Sequence, residues 1–137
     1  MDKITITQTP DALALKTGGI EEVSFTDVFV KRLSLENVCL TNAIITNANL
    51  SDIEIEGAQL GGAYIHNIGM PPADHPLYDP AARQRPLKFE DCTLEGSEFL
   101  HCDLSHVRLH DCTITGMQIN GIPVADLLQA YAQQQGK

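Results

Sequence analysis

A strict period of five residues governs most of this chain. Stepping by five from Phe25 meets Phe25, Val30, Leu35, Leu40, Ile45, Leu50, Ile55, Leu60 and Ile65, large apolar residues without one interruption. Since about half of the residues in an ordinary domain are apolar, such a run in one fixed phase has chance odds of about one in several hundred. Two residues before each centre stand Val23, Val28, Leu33, Val38, Ala43, Ala48, Ile53, Ala58 and Ala63, all apolar and mostly smaller. The double series resumes with centres Phe89, Leu94, Phe99, Leu104, Leu109, Ile114 and Ile119, preceded by Leu87, Cys92, Ser97, Cys102, Val107, Cys112 and Met117. Phe89 follows Ile65 by 24 residues, which is not a multiple of five, so the stretch between them is an insertion.

Neither a helical period of about 3.6 nor a strand alternation of about 2 sustains a strict five. The chain must turn a corner every five residues. A short extended segment directs two side chains, two apart, to one side, and the three remaining residues turn in solvent. Those triplets are mostly Asn, Asp, Thr, Ser, Gly and Glu, rich in turn formers. Segments joined by corners make a coil, and coils stacked about 4.8 Å apart would satisfy the backbone.

Ala48-Asn49-Leu50-Ser51-Asp52 fits the motif A-(D/N)-L-x-x, and Cys102-Asp103-Leu104-Ser105-His106 is its cysteine variant. In these residues the chain resembles the pentapeptide-repeat family over 21–68 and 87–122. The resemblance implies an all-β solenoid, a right-handed quadrilateral β-helix with four pentads per coil. Sixteen pentads then give about four coils, a repeat body roughly 20 Å long. In that arrangement residues twenty apart stack in columns.

The chain of 137 residues is expected to be one domain, 1–137. An N-terminal cap is expected over 1–20, repeats over 21–68, a Pro-rich insertion loop over 69–86, repeats over 87–122, and a C-terminal helix and tail over 123–137. Val124, Leu127, Leu128 and Tyr131 fall at i, i+3, i+4 and i+7, an apolar stripe, and Pro123 suits a first helical turn. A short α-helix of about three turns is expected there, lying over the last coil. Its stripe is a candidate surface for capping or for a homodimer.

Composition narrows the function classes. Acids outnumber bases by 18 to 9, giving a formal charge of −9. Such a field repels nucleic acid and anionic membrane surfaces, so no direct nucleic-acid or membrane binding is expected. Residues 21–68 carry seven acids and two bases, and 87–122 six acids and two bases; the other segments each sum to zero, so the excess lies on the repeats. No basic stretch followed by an apolar run opens the sequence, and a bacterial-type cytoplasmic location is expected.

Chemistry-bearing residues read mainly as structural. Cys92, Cys102 and Cys112 occupy the smaller apolar position and are expected as packed, reduced thiols. His101, His106 and His110 fall on outward positions away from the cysteines, which does not make a convergent tetrahedral set. No GxSxG, P-loop, GxGxxG or HExxH motif occurs. No catalytic residue, cofactor or metal site is expected, and the chain is not expected to be an enzyme. The candidate interaction surface comprises Glu36, Asp52, Glu54 and Glu56, the outward apolar pair Ile44 and Tyr64, and Leu77 and Tyr78 of the loop.

The expected function is a non-catalytic protein-interaction module whose partner is unknown. The alternative follows from the resemblance: some pentapeptide-repeat proteins, the quinolone-resistance and topoisomerase-poison-immunity members, are acidic DNA mimics that dock on DNA gyrase. Duplex DNA carries one charge per about 1.7 Å, or about 12 over 20 Å, a density comparable with that of these repeats. This chain is shorter than a mimic of a long duplex would be, and scatters Lys31, Arg32, Lys88 and Arg108 among its acids.

Overall fold

The corners of the pentads are the most regular feature of the backbone. The computed structural model describes residues 14, 16 and 18–136, in two units, the first ending at Ala63 and the second running from Tyr64. The expected N-terminal cap falls mostly outside the described residues.

In the first unit, Asp27, Asn37, Asn42, Asn47, Asp52, Gly57 and Gly62 all have left-handed φ, between 52° and 78°. Each stands two residues after a centre. In the second unit Asn67, Asp91, Gly96, His101, His106, Asp111, Gly116 and Gly121 repeat the pattern, with φ from 53° to 80°. A residue with a Cβ resists this region, and Gly, Asn, Asp and His tolerate it best. The period of five is therefore written twice, once in apolar centres and once in the residues that allow the corner.

The corners also alternate. Leu40, Leu50 and Leu60 each accept a hydrogen bond from the N–H three residues on, at 3.1, 3.2 and 2.9 Å. Leu94, Leu104 and Ile114 do the same at 3.1, 3.1 and 3.0 Å. These are β-turns with positive φ at the third residue, as in a type II turn. The intervening corners at Asn47, Gly57, Asp91, His101 and Asp111 turn without that bond. The structural unit is thus ten residues, an open corner followed by a hydrogen-bonded one.

The motif's Asp/Asn position has a defined task at the hydrogen-bonded corner. Asn49 Oδ1 accepts from the Ser51 N–H at 3.0 Å and from its Oγ at 2.7 Å. Asp103 Oδ1 accepts from the Ser105 N–H at 2.9 Å and from its Oγ at 2.6 Å. The short acceptor brackets the residue after the centre and aims the chain into the turn.

The second unit ends in the regular elements. Strands β1 (Gln118–Ile119) and β2 (Ile122–Pro123) pair antiparallel, Gln118 opposite Pro123 and Ile119 opposite Ile122. Asn120 and Gly121 join them with φ of 49° and 80°, the two positive values of a type I′ hairpin. The repeat is expected to run to residue 122; the structure uses Asn120-Gly121 to fold a hairpin over its last residues. The Val124 N–H donates to Met117 O at 2.9 Å, tying the helix start to the hairpin. Helix α1 (Val124–Gln135) follows Pro123, as expected, and carries Asp126 in its first turn, where an acid complements the helix dipole.

Exposure separates the two sides of the pentads. Leu50 and Leu94 are each 46% exposed, against 92% for Phe29, 86% for Ile44 and 80% for Tyr64. Centres therefore take the more sheltered side, but no large apolar side chain is buried among the described residues. Nor does any pentad pair as a strand with another among them; the hairpin and α1 are the regular elements. This differs from the expected stack of coils, in which centres line a closed interior. The corner bonds engage about one N–H in ten residues, and ladder bonds between pentads, which would bring coils to about 4.8 Å and cover the centres, are not among those formed by the described residues.

Candidate interaction surface

The eight candidate contact residues are all exposed. Glu36, Ile44, Asp52, Glu54 and Glu56 belong to the first unit, and Tyr64, Leu77 and Tyr78 to the second. Glu36 precedes the open corner at Asn37, and Glu54 and Glu56 flank the centre Ile55. Asp52 also has a backbone task, since it occupies a left-handed corner with φ of 64°. Tyr64 stacks on His66, with ring centroids 4.1 Å apart and planes at 13°, because residues either side of a centre point the same way.

The insertion is organised by its own turns. His75 N–H donates to Pro72 O, Tyr78 N–H to His75 O and Ala82 N–H to Asp79 O, at 2.9, 3.0 and 3.1 Å. Side chains bracket these turns. His75 Nδ1 accepts from the Leu77 N–H at 3.0 Å, and Asp79 Oδ1 from the Ala81 N–H at 2.9 Å. Arg83 closes the segment by donating to Pro80 O at 2.7 Å and Ala82 O at 2.9 Å. The result holds Leu77 outward, 77% exposed, with Tyr78 beside it at 44%.

Val124 and Leu128 line a groove of about 290 Å³ with Leu109, Asp111, Cys112 and Ile114. Val124 is half-buried, whereas Leu127, Leu128 and Tyr131 are all exposed.

The cysteines Cys92, Cys102 and Cys112 are exposed rather than packed, free as thiols, and each S–H donates to the carbonyl two residues earlier, at 3.3, 3.4 and 3.2 Å. Their ten-residue spacing places them on alternate pentads, each just ahead of a hydrogen-bonded corner. His101 and His106 serve as left-handed corners, with φ of 55° and 62°. Among the described residues no group of three His, Cys, Asp or Glu side chains converges as a metal site would, and no helix is long and apolar enough to cross a membrane.

Two local electrostatic arrangements stand out on the second unit. Lys88 Nζ pairs with Glu90 Oε2; the hydrogen bond and the opposite charge raise the lysine pKa and lower that of the glutamate. The Ser105 hydroxyl, and then its N–H, hold the Asp103 carboxyl below its ordinary 3.8. A depressed carboxylate pKa contributes stability above its unfolded value, lost as pH falls through the folded one. An NMR titration is therefore expected to show Asp103 titrating below the ordinary value in the native chain, and moving back up in Ser105→Ala.

Phe29, outside the candidate set, is also exposed: it stands one position before the centre Val30, the same outward phase as Ile44 and Tyr64. The family model described as pentapeptide repeats (8 copies) matches residues 88–121. No curated protein and no solved structure matches the chain. The matched segment begins one residue before the centre Phe89 and ends at Gly121, so it spans the left-handed corners from Asp91 to Gly121. Over 88–121, about a quarter of its length, the chain is similar to pentapeptide-repeat proteins.

Proposed function

We propose that the pentads of 21–68 and 87–122 close on one another as about four coils of a right-handed β-helix, and that this domain works as a non-catalytic protein-interaction module in the cytoplasm. The resemblance supports the coils, and the left-handed corners of 25–67 support extending the repeat beyond the matched 88–121. The observation that carries the interaction reading is the insertion loop. Three turns, bracketed by His75, Asp79 and Arg83, present Leu77 to solvent in a fixed form. A loop backbone that is already held by turns loses little entropy when its side chain enters a partner's pocket.

A photo-crosslinking residue at Leu77 is expected to capture one discrete protein partner. The same residue at Thr115 is expected to capture none, and Leu77→Asp to abolish a partner's co-purification without lowering the unfolding midpoint. Equal capture from both positions, or turnover of a substrate in a broad hydrolase panel by the purified chain, would remove this reading.

The charge pattern favours a second reading, an acidic mimic of DNA that binds DNA gyrase or another topoisomerase. Seven acids against two bases on 21–68 and six against two on 87–122 give −5 and −4, the whole of the −9. In a gyrase supercoiling assay, with and without fluoroquinolone, that reading expects inhibition or protection; no effect at excess protein rejects it.

A further inference from the structure

One corner breaks the schedule that all the others keep. Arg32 stands two residues after the centre Val30, where Asn, Asp, Gly or His stands elsewhere, and it is not among the left-handed residues. Counting back by ten from Leu40, this corner should also close with a Leu33 N–H to Val30 O bond, which is not among those formed. In the left-handed region an arginine's Cβ crowds the following carbonyl oxygen, so its backbone avoids that conformation. An asparagine here would restore both features.

Three properties converge on the same four residues. Lys31 and Arg32 are the only bases between residues 21 and 68, and they are adjacent. Both are exposed. Phe29, at 92%, is more exposed than any other large apolar residue described. A local rule broken without local gain points to function.

We propose that the Phe29–Lys31–Arg32 corner is an interaction surface for an acidic segment of a partner protein. Lys31 and Arg32 pair with its carboxylates, and Phe29 takes an apolar side chain lying between them. A nucleic-acid backbone offers the same anionic chemistry but extends evenly in both directions, over the seven acids of 21–68, which repel it. A short acidic segment spans few of those acids, with Asp27 and Glu36 the nearest in sequence to the two cations. This surface is distinct from Leu77 and stands whether or not the loop reading holds.

The test is an NMR titration of the full isotopically labelled chain with a peptide of glutamates surrounding one leucine. Its all-lysine counterpart and a single-stranded oligonucleotide are run alongside. Saturable shifts are expected at Phe29 to Leu33 with the glutamate peptide alone, weakening as salt is raised. Phe29→Ser, Lys31→Gln and Arg32→Asn are each expected to weaken binding by about tenfold, as the loss of one anchoring contact does. Arg32→Asn is expected to raise the unfolding midpoint, since it restores the corner. The proposal is overturned if the shifts are absent, if the oligonucleotide or lysine peptide reproduces them, or if they arise only from self-association of the chain. It is equally overturned if Arg32→Asn lowers the midpoint, because the arginine would then be holding the fold.

Discussion

Replacing Gly116 with valine is expected to lower the unfolding free energy by roughly 1–3 kcal/mol, the range for a residue held in a poorly populated backbone region. Gly116 has φ of 75° at the third position of the turn that begins at Ile114. A Cβ added there meets nothing within 4 Å, so crowding is not the cause. The cost is conformational: a β-branched side chain disfavours left-handed φ through its own backbone. Gly116→Asn should therefore be nearly neutral, as Asn42 holds the equivalent corner. Thr115→Val, one residue earlier, should stay within about 0.5 kcal/mol, as at an ordinary surface position. Urea unfolding of the three variants separates backbone strain from side-chain type, since Gly116→Val and Thr115→Val place the same β-branched side chain at a left-handed position and beside it.

Truncating a centre should cost more. If the coils close as proposed, Leu104→Ala removes a covered side chain, with an expected loss of roughly 2–5 kcal/mol. Leu104 is 50% exposed in the described structure, and at that exposure the loss would be about half the transfer value, near 1 kcal/mol. The two outcomes are well separated. Glu95→Ala, an exposed change beside the centre Leu94, is the control and should move stability by less than about 0.5 kcal/mol. A Leu104→Ala loss near that of the control would show that centres do not support one another across pentads.

Much of the local geometry is legible in the residues. The five-residue step, the paired apolar series and the turn-forming triplets all come from residue type, because a corner excludes large apolar side chains and a segment of two cannot alternate further. Helix α1 is legible for the same reason: Pro123 fits its start, and Val124, Leu127, Leu128 and Tyr131 mark one face. The ten-residue alternation is not legible. Asp27 and Asp52 have the same side chain at an open and a hydrogen-bonded corner, with φ of 55° and 64°, so residue type permits the left-handed region without selecting the class.

The hairpin was hidden by the repeat itself. Ile119 continues the series of centres, and Asn120-Gly121 stands in the phase of one more corner, which masks Asn-Gly as a hairpin signal. The loop's turns were obscured by its prolines, which announce irregular chain but not which carbonyls will be capped. His75, Asp79 and Arg83 supply that order through side-chain bonds that have no period. Of the proposed contact residues, Leu77 and Tyr78 are marked in the sequence by their place in the insertion, while Phe29 and Arg32 stand out only against a corner schedule that must first be seen in the backbone.

The central claim is that one corner schedule runs through both stretches of the chain, 25–67 as well as the matched 88–121. Backbone NMR of the native chain measures it directly, because left-handed φ gives a characteristic combination of HN–Hα coupling and intraresidue HN–Hα contact. The account predicts that signature at Asp27, Asn37, Asn42, Asn47, Asp52 and Asn67 in the first stretch and at Asp91, His101, His106 and Asp111 in the second, with Arg32 lacking it. Left-handed φ confined to 88–121, with ordinary extended values at the Asn and Asp residues of 25–67, would contradict it.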